Sequence, residues 1–268
     1  MAESTTRQVE IGERFHALHE GDPFVIPNPW DAGTAKVLEA LGFPALATTS
    51  SAFAFSLGRT DGEATLDEVI EHTRLLCSVS GLPVSVDLEN GHGPAPADAA
   101  AAIERAAAAG AVGGSIEDYD PAGRLYEIGE AVERVAAAAE AAAALEFPFV
   151  FTARAENQIR GNPDLDDTIA RLRAYEEAGA DVLYAPGLRD AAEVRTVCEA
   201  VSKPVNVLGH RGLTLEEIFA AGAQRVSVGG ALAWAAIEAM AASAEGIRDR
   251  GDLSGLAGMS RIRDWLTS

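Results

Sequence analysis

The octapeptide VDLENGHG, residues 86–93, places two carboxylates at the end of a short apolar segment. Side chains two positions apart on a strand point to the same face, so Asp87 and Glu89 would lie side by side. Glu117, which ends the run GSIE, adds a third carboxylate from the next apolar segment. Carboxylates held together need a cation, a proton or water, and an all-oxygen set suits Mg²⁺, or Mn²⁺ in its place. The alternative is a network of salt bridges with nearby arginines.

Arg154 stands in the segment FVFTARAE, which is otherwise largely apolar. An arginine in such a position usually has a fixed anionic partner. The partner could be a carboxylate of the protein, such as Glu156, or a substrate carboxylate bound by two parallel hydrogen bonds. The residues alone leave both alternatives open.

Hydroxyl groups cluster in the run TTSSAFAF, which begins at residue 48. Thr49, Ser50 and Ser51 could offer hydroxyl and backbone N–H donors to a carboxylate or an oxyanion. The same residue types are common in turns, so this signal is weak on its own. His92 could move protons beside the acidic pair or cap a loop.

These residues follow apolar runs that alternate with helical segments along the whole chain. The predicted strands cover residues 24–30, 45–50, 83–89, 111–118, 149–156, 181–186, 204–209 and 225–230. The predicted helices cover residues 32–41, 65–80, 96–109, 128–145, 166–178, 190–202, 214–221 and 231–247. Glycine recurs at the helix-to-strand junctions EALGFPAL, AAAGAVGG, EEAGADVL and FAAGAQRV, as a left-handed helix cap requires.

Strands that alternate with helices predict a parallel sheet. Eight such units in about 250 residues favour a closed (β/α)8 TIM barrel over a doubly wound open sheet. We expect one domain over residues 1–268, with a barrel core at about 22–247 and a C-terminal helical tail at about 248–268. In such a barrel the chemistry lies at the carboxyl ends of the strands, which is where the polar residues described above are expected.

Charge and cysteine content exclude several classes of function. The formal charge of −20 argues against a basic surface that binds nucleic acid or an anionic membrane. Cys77 and Cys198 lie in helical segments and suggest neither a disulfide framework nor a zinc site. His16, His19 and His72 also lie on helical segments and are expected at the surface. The N-terminus lacks an apolar signal core, which predicts a cytoplasmic protein.

The ordered motifs resemble those of the isocitrate lyase / phosphoenolpyruvate mutase superfamily, from about residue 14 to residue 245. The matching stretches are PNPWDAGTAKVLEALGFPALATTS, SLGRTDGEATLDEV, PVSVDLENGHG, GSIED, TARAEN, AYEEAGADVLYAPG and PVNV. The resemblance implies a (β/α)8 barrel, Mg²⁺, and a 2-oxo acid or its enolate as the reacting species.

The resemblance also implies roles for individual residues. Asp61, Asp87, Glu89 and Glu117 match the acidic positions around the metal, with Asp87, Glu89 and Glu117 as the expected ligands. Arg154 matches the arginine that binds the substrate carboxylate, and it joins Asp61 and Glu117 in the expected catalytic set.

The expected substrate-binding set adds positions from two other strands. Thr49, Ser50 and Ser51 lie where the family carries a Ser-Gly-rich turn, although the usual SGG or SGL is altered here. Asn206, in PVNV, resembles a polar residue of the seventh strand near the substrate.

The chain departs from the family after IED. Isocitrate and methylisocitrate lyases carry a mobile lid there, with a KKCGH-like motif whose cysteine is the catalytic acid. This chain has YDPAGRLYEIGE instead, without cysteine, lysine or histidine. The Lys- and Asn-bearing lid of phosphonomutases is not evident either. The sequence therefore resembles a divergent member with a short lid.

The preferred hypothesis is a Mg²⁺-dependent enzyme that cleaves a C–C bond next to a 2-oxo acid, through an enolate. Its substrate would be oxaloacetate-like or a 2-hydroxy-dicarboxylate. The alternatives are P–C bond chemistry on phosphonopyruvate-like substrates and a non-catalytic binder of 2-oxo acids. Ile262, Trp265 and Leu266 form an apolar stripe that either packs on its own barrel or meets another subunit. The resemblance favours a homo-oligomer, a dimer or a tetramer.

Overall fold

The computed structural model describes the backbone of residues 2–267 and the side chains of residues 6–259 and 261–266. The strands, in chain order, are β1 (Phe24–Ile26), β2 (Leu46–Ala47), β3 (Val84–Asp87), β4 (Gly113–Glu117), β5 (Tyr119–Asp120), β6 (Arg124–Leu125), β7 (Val150–Arg154), β8 (Val182–Tyr184), β9 (Val205–Leu208) and β10 (Arg225–Ser227). All except β5 and β6 form one parallel sheet.

The parallel sheet has the order β1-β10-β9-β8-β7-β4-β3-β2. Two hydrogen bonds join its ends: the Ala47 N–H donates to the Pro27 carbonyl at 3.0 Å, and Asn28 Nδ2 donates to the Thr48 carbonyl at 2.9 Å. The sheet therefore closes on itself, and the predicted (β/α)8 barrel is confirmed.

The helices are α1 (Ala2–Leu18), α2 (Ala32–Ala40), α3 (Ser50–Ser56), α4 (Leu66–Val79), α5 (Pro96–Ala108), α6 (Ile128–Ala143), α7 (Leu165–Glu177), α8 (Ala191–Ala200), α9 (Leu215–Ala220), α10 (Ala231–Arg250) and α11 (Ser260–Thr267). Thr65 and Thr214 begin α4 and α9 with reciprocal capping boxes, which satisfy backbone N–H groups of the first turn. The junction glycines have positive φ, as predicted: Gly42, Gly110, Gly179 and Gly222.

The alanine-rich segments are helices whose small side chains allow close packing. Ala99, Ala102 and Ala106 of α5 are buried, as are Ala131 and Ala138 of α6. These residues belong to the main apolar cluster around the barrel. Because alanine has a high helix propensity and little bulk, the two helices form readily and approach each other closely.

Three local elements differ from the prediction. Helix α1 precedes the predicted core and places fully buried Phe15 under the barrel. Ser50 and Ser51, predicted to end the second strand, begin α3 instead. The segment after β4 forms a hairpin of β5 and β6, which was not predicted.

The predicted surface position is wrong for His72 and incomplete for His19. His72 is buried and stacks on Phe53, with ring centroids 4.1 Å apart, and burial lowers its pKa to about 4. His19 is half-buried between Phe15 and Phe24.

The C-terminal region leaves the barrel and returns to it. Only Ala233 and Gly246 of α10 are buried in the described structure. Helix α11 packs on α2, where Trp265 lies beside Lys36 and Val79. Within residues 2–267, no helix has the length and apolar character that crossing a bilayer requires.

Candidate active site

The carboxyl ends of three neighbouring strands bring together Asp87 of β3, Glu117 of β4 and Arg154 of β7. The register pairs Glu117 directly with Arg154. Arg154 Nη1 lies 2.9 Å from Asp87 Oδ1, and its Nη2 lies 3.0 Å from Glu117 Oε2 and 2.7 Å from Glu156 Oε1. The predicted anionic partner of Arg154 is therefore a set of protein carboxylates in this structure, and its guanidinium group is the centre of the site.

Asp87 is the carboxylate that the site keeps ionised. Burial alone would raise its pKa, but the Arg154 guanidinium and backbone hydrogen bonds lower the pKa below its usual value. The Ser50 N–H donates to Oδ2 at 3.2 Å, and the Glu89 N–H donates to Oδ1 at 3.3 Å. The first residue of α3 thus contacts the acidic cluster directly.

The other carboxyl groups of the site have too little positive charge nearby to offset the effect of burial on their pKa values. Burial, together with the charges of Asp87 and Asp61, raises the pKa of Glu89 to about 8. Burial also raises the pKa of Glu117 well above its usual value, with Glu156 acting in the same direction. The pKa of Asp61 is raised, again mainly by burial.

Glu89 has an uncommon backbone conformation as well as a raised pKa. Its φ of 49° lies in the left-handed region, which is uncommon for a residue other than glycine. Its buried Oε1 has no hydrogen-bond partner among the described residues. Strained, unsatisfied groups of this kind concentrate at functional sites.

The predicted metal ligands Asp87, Glu89 and Glu117 do not form a closed cage. Among the residues that the structure describes, no group of three or more His, Cys, Asp or Glu side chains is arranged to hold a metal ion. Arg154 contacts both Asp87 and Glu117 instead. The carboxyl groups nevertheless fit a hard divalent cation, because Glu89 Oε1 has no partner among the described residues and the pKa values of Glu89 and Glu117 are raised by burial and by neighbouring carboxylates. Mg²⁺ usually takes one or two carboxylates and retains water, so a closed cage is not required.

Two adjoining cavities open at this end of the barrel, and we call them the inner and outer chambers. The inner chamber has a volume of about 240 Å³, and the outer chamber about 440 Å³. Ser50, Asp61 and Arg154 line both. The remaining inner wall is rich in hydroxyl groups, whereas the outer wall is rich in carboxylates.

Most predicted substrate-binding residues meet at the inner chamber. Thr49, Ser50 and Ser51 all line it. Asn206 does not: it is buried in the barrel, accepts a hydrogen bond from Arg225 Nε at 2.9 Å and donates to Ser227 Oγ at 3.0 Å. Ser227 does line the chamber, so Asn206 positions a wall residue.

Sequence reasoning missed two residues of the site. Tyr184 lines the inner chamber, and the Arg154 guanidinium carbon lies 5.1 Å from its ring centroid. Its position at the carboxyl end of β8 could have identified it. Arg160 lines the outer chamber from beyond a short 3₁₀ turn at Asn157–Ile159, where no strand-end rule applies.

The segment after β4, where the sequence resembles a family member with a short lid, forms the hairpin of β5 and β6. Tyr119 pairs with Leu125, and Asp120 pairs with Arg124. Gly123 takes a φ of 97° in the turn, a conformation that glycine adopts without strain. The hairpin places Tyr119 on the wall of the outer chamber.

A larger cavity, about 680 Å³, lies elsewhere. It is a groove beside α1 and α6, and none of the predicted site residues lines it. Barrel enzymes carry their chemistry at the carboxyl ends of the strands, so the smaller chambers are the candidate active site.

Comparison with known proteins identifies the family of the chain. An oxaloacetate decarboxylase of Rhodopseudomonas palustris is 31% identical, covering 92% of this chain and 89% of its own length. A 2-methylisocitrate lyase of Escherichia coli is also 31% identical, covering 72% and 68%. A Burkholderia cenocepacia crystal structure, provisionally described as a lyase/mutase, is 50% identical over 98% of both chains, with a TM-score of 0.95. The phosphoenolpyruvate phosphomutase family model matches residues 15–248, and the chain therefore belongs to that family, within the phosphoenolpyruvate mutase / isocitrate lyase superfamily.

Proposed function

We propose that the protein is a Mg²⁺-dependent lyase that cleaves a C–C bond adjacent to a 2-oxo acid. The preferred substrates are oxaloacetate-like acids or 2-hydroxy-dicarboxylates. The observation that carries this proposal is the hydroxyl-lined inner chamber, which adjoins Arg154 and an under-neutralised cluster of carboxylates. The named decarboxylase and lyase relatives support the same class of reaction.

The protein's own residues would bind and orient the substrate. Asp87, Glu89 and Glu117 would hold Mg²⁺ directly or through water, and Thr49, Ser50 and Ser51 offer donors to the oxo-acid end. Bound Mg²⁺ would supply positive charge beside the carboxylate and the developing enolate. Arg154, which faces both chambers, adds a second positive charge there.

Decarboxylation makes a modest demand on acid catalysis. The bond to the departing carboxylate breaks, its electron pair enters the enolate, and CO₂ leaves. The enolate carbon then takes up one proton. Asp61 lines both chambers, and burial raises its pKa, so this carboxyl group is suited to hold and deliver that proton.

Substrate assays with and without Mg²⁺ test the proposal. We expect Mg²⁺-dependent turnover of oxaloacetate or 2-methylisocitrate, and loss of that turnover in EDTA. Turnover of phosphonopyruvate alone would establish P–C chemistry instead. Thermal stabilisation by oxalate plus Mg²⁺, without turnover of any of the three acids, would identify a binder of 2-oxo acids.

We further propose that the protein is a cytoplasmic homo-oligomer that associates through α10. This helix exposes Leu232, Trp234, Met240 and Ile247, an apolar surface that a second copy could cover. Light scattering should give a mass above the 27.9 kDa of one chain. Met240→Asp should shift the mass towards the monomer, whereas deletion after Gly255 should have less effect because α11 packs on its own barrel. A monomeric wild-type protein would overturn this assembly.

A further inference from the structure

The site contains two arginines, which differ in their exposure and in how many protein carboxylates they contact. The Arg154 side chain is 13% exposed and contacts three carboxylates within 3.0 Å. The Arg160 side chain is 31% exposed. Its Nε donates to Glu156 at 3.2 Å, while its Nη2 is 3.8 Å from Glu117, beyond hydrogen-bonding distance. Arg160 therefore has more donor capacity for a ligand than Arg154.

Arg160 is held in place before any ligand arrives. Its guanidinium carbon lies 4.0 Å from the ring centroid of Tyr119, on the hairpin. Its backbone N–H donates to the Glu156 carbonyl at 3.0 Å, which fixes the turn that carries it. A guanidinium group fixed from both sides loses little conformational entropy on binding an anion.

The charged residues that line the outer chamber are mainly acidic, so the positive charge of Arg160 is what would allow an anion to bind there. Asp61, Glu63, Glu89 and Glu117 line the same chamber, so an anionic group that entered it would meet mainly negative charge. Arg154 and Arg160 both contact the Glu156 carboxylate, which places the two guanidinium groups on either side of one small acidic group. A short acid bound at Arg154 can therefore extend its far end to Arg160.

We propose that Arg160 is a specificity residue that binds an anionic substituent on C3 of the 2-oxo acid. This inference rests on the proposed function and deepens it, because it explains how the site would select a dicarboxylate over a monocarboxylate. The shared chemistry is an anionic group on C3, and either a carboxylate or a phosphonate supplies it. The planar fork of arginine can bind either group through two parallel hydrogen bonds, and the proposed C–C cleavage favours the carboxylate.

Calorimetry in the presence of Mg²⁺ tests the assignment with four ligands. Oxalate has no C3 substituent, 2-oxobutyrate has an uncharged one, 3,3-difluorooxaloacetate has a carboxylate there, and phosphonopyruvate has a phosphonate. Arg160→Gln should weaken the difluorooxaloacetate complex roughly 10- to 100-fold, the size of one charge-assisted contact. Oxalate and 2-oxobutyrate should change less than about threefold, and Arg160→Lys should give an intermediate loss.

Arg124→Gln is the matched control, because it removes the same charge from the hairpin that Arg160 contacts through Tyr119, and Arg124 pairs with Glu130 outside both chambers. This variant should bind all four ligands like the wild type. Equal weakening of oxalate and difluorooxaloacetate by Arg160→Gln, or no weakening of either, would overturn the assignment. A larger loss for phosphonopyruvate than for difluorooxaloacetate would assign the phosphonate as the selected anion. A wild-type protein that does not bind oxalate at all would overturn the proposed function as well.

Discussion

The two ends of the barrel each bury an arginine, but in opposite surroundings. At the amino-terminal end Arg225 donates to three neutral acceptors: Asn206 at 2.9 Å, Thr152 at 3.0 Å and His19 at 3.1 Å. None of the ion pairs between described residues includes Arg225. At the carboxyl-terminal end Arg154 contacts three carboxylates, and more lie nearby.

The amino-terminal end shows what a site built for stability looks like. Burial, with the nearby Arg225 charge, lowers the pKa of His19 to about 3, so its ring stays neutral and can accept a hydrogen bond. Gln224 donates to the Leu18 and Gly21 carbonyls and so fastens the end of α1. The polar groups here are matched by partners, whereas Glu89 at the other end is strained and unpaired. The contrast indicates that the strained, unsatisfied carboxyl group lies at the end where a ligand is expected, whereas the charge of Arg225 is satisfied by hydrogen bonds to neutral groups.

The largest effect should come from Asp87→Ala at the functional end. We expect Mg²⁺ affinity and turnover to fall by orders of magnitude, about 100-fold or more, because the buried carboxylate whose pKa Arg154 lowers disappears. Calorimetric titration with Mg²⁺ and circular dichroism should show lost binding in a folded protein. An unchanged titration would remove Asp87 from the metal site and leave the salt-bridge network as its role.

Glu89→Gln should separate stability from function at the same end. The folded-state pKa of Glu89 is about 8 against an ordinary 4.5, so in metal-free protein its ionisation destabilises the fold as pH rises through this window. Glutamine cannot ionise, so the variant should exceed the wild type in free energy of unfolding by a few kcal/mol at pH 8 and by almost nothing near pH 4.5.

Urea denaturation in EDTA at the two pH values measures that difference. At pH 8, saturating Mg²⁺ should make the wild type more stable than the variant, because only the wild type gains the stabilisation that comes from binding the ion. A difference that is the same at both pH values would show that Glu89 ionises normally in the folded protein.

His19→Leu tests the other end of the comparison. The substitution removes the acceptor of Arg225 Nη1, so we expect a loss of about 1–3 kcal/mol in unfolding free energy at pH 7, with kcat/KM unchanged. The folded-state pKa of His19 is depressed, so its contribution is complete above about pH 6.5 and declines as pH falls towards 3. The gap between wild type and variant should therefore narrow at pH 5.

His16→Leu is the control for this experiment, because His16 lies exposed on the same helix. It should leave both stability and its pH dependence nearly unaltered. A fall in kcat/KM for His19→Leu in a protein that remains folded would break the division between a stabilising and a functional end.

The smallest effect should come from replacing both cysteines by alanine. Burial raises the thiol pKa to about 12 for Cys77 and about 11 for Cys198, so neither is a nucleophile at neutral pH. Their Cβ atoms pack against Gly110 and Gly222, contacts that alanine retains. Turnover should stay within about twofold, with a stability loss of roughly 1 kcal/mol. Lost turnover in the folded double variant would show that a thiol acts in the reaction.

The features predicted correctly from the sequence are those that depend on the periodicity of apolar residues and on the position of polar residues at strand ends. Alternating apolar runs gave the eight-stranded barrel, and the strand ends gave Asp87, Glu117 and Arg154 as neighbours. Glu89 was placed on the strand, but its positive φ arises in the loop and has no periodic signal. Arg160 depends on a 3₁₀ turn and a hairpin, which pattern alone does not indicate. The burial of His72 depends on its stack with Phe53, a contact between two helices that the pattern of either one does not indicate.

The hairpin of β5 and β6 has a kinetic consequence. Its turn, residues 121–124, is exposed, and Arg124 pairs with Glu130 at the start of α6, so the cover beside the outer chamber is short and anchored. An anchored cover requires no opening step before product departs, and we expect turnover to be insensitive to solvent viscosity. In the proposed reaction, it would also leave bulk water in reach of the short-lived carbanion. Protonation of the carbanion by solvent favours a reaction that releases the products of bond cleavage. It disfavours a reaction in which the two products must recombine within the same cavity.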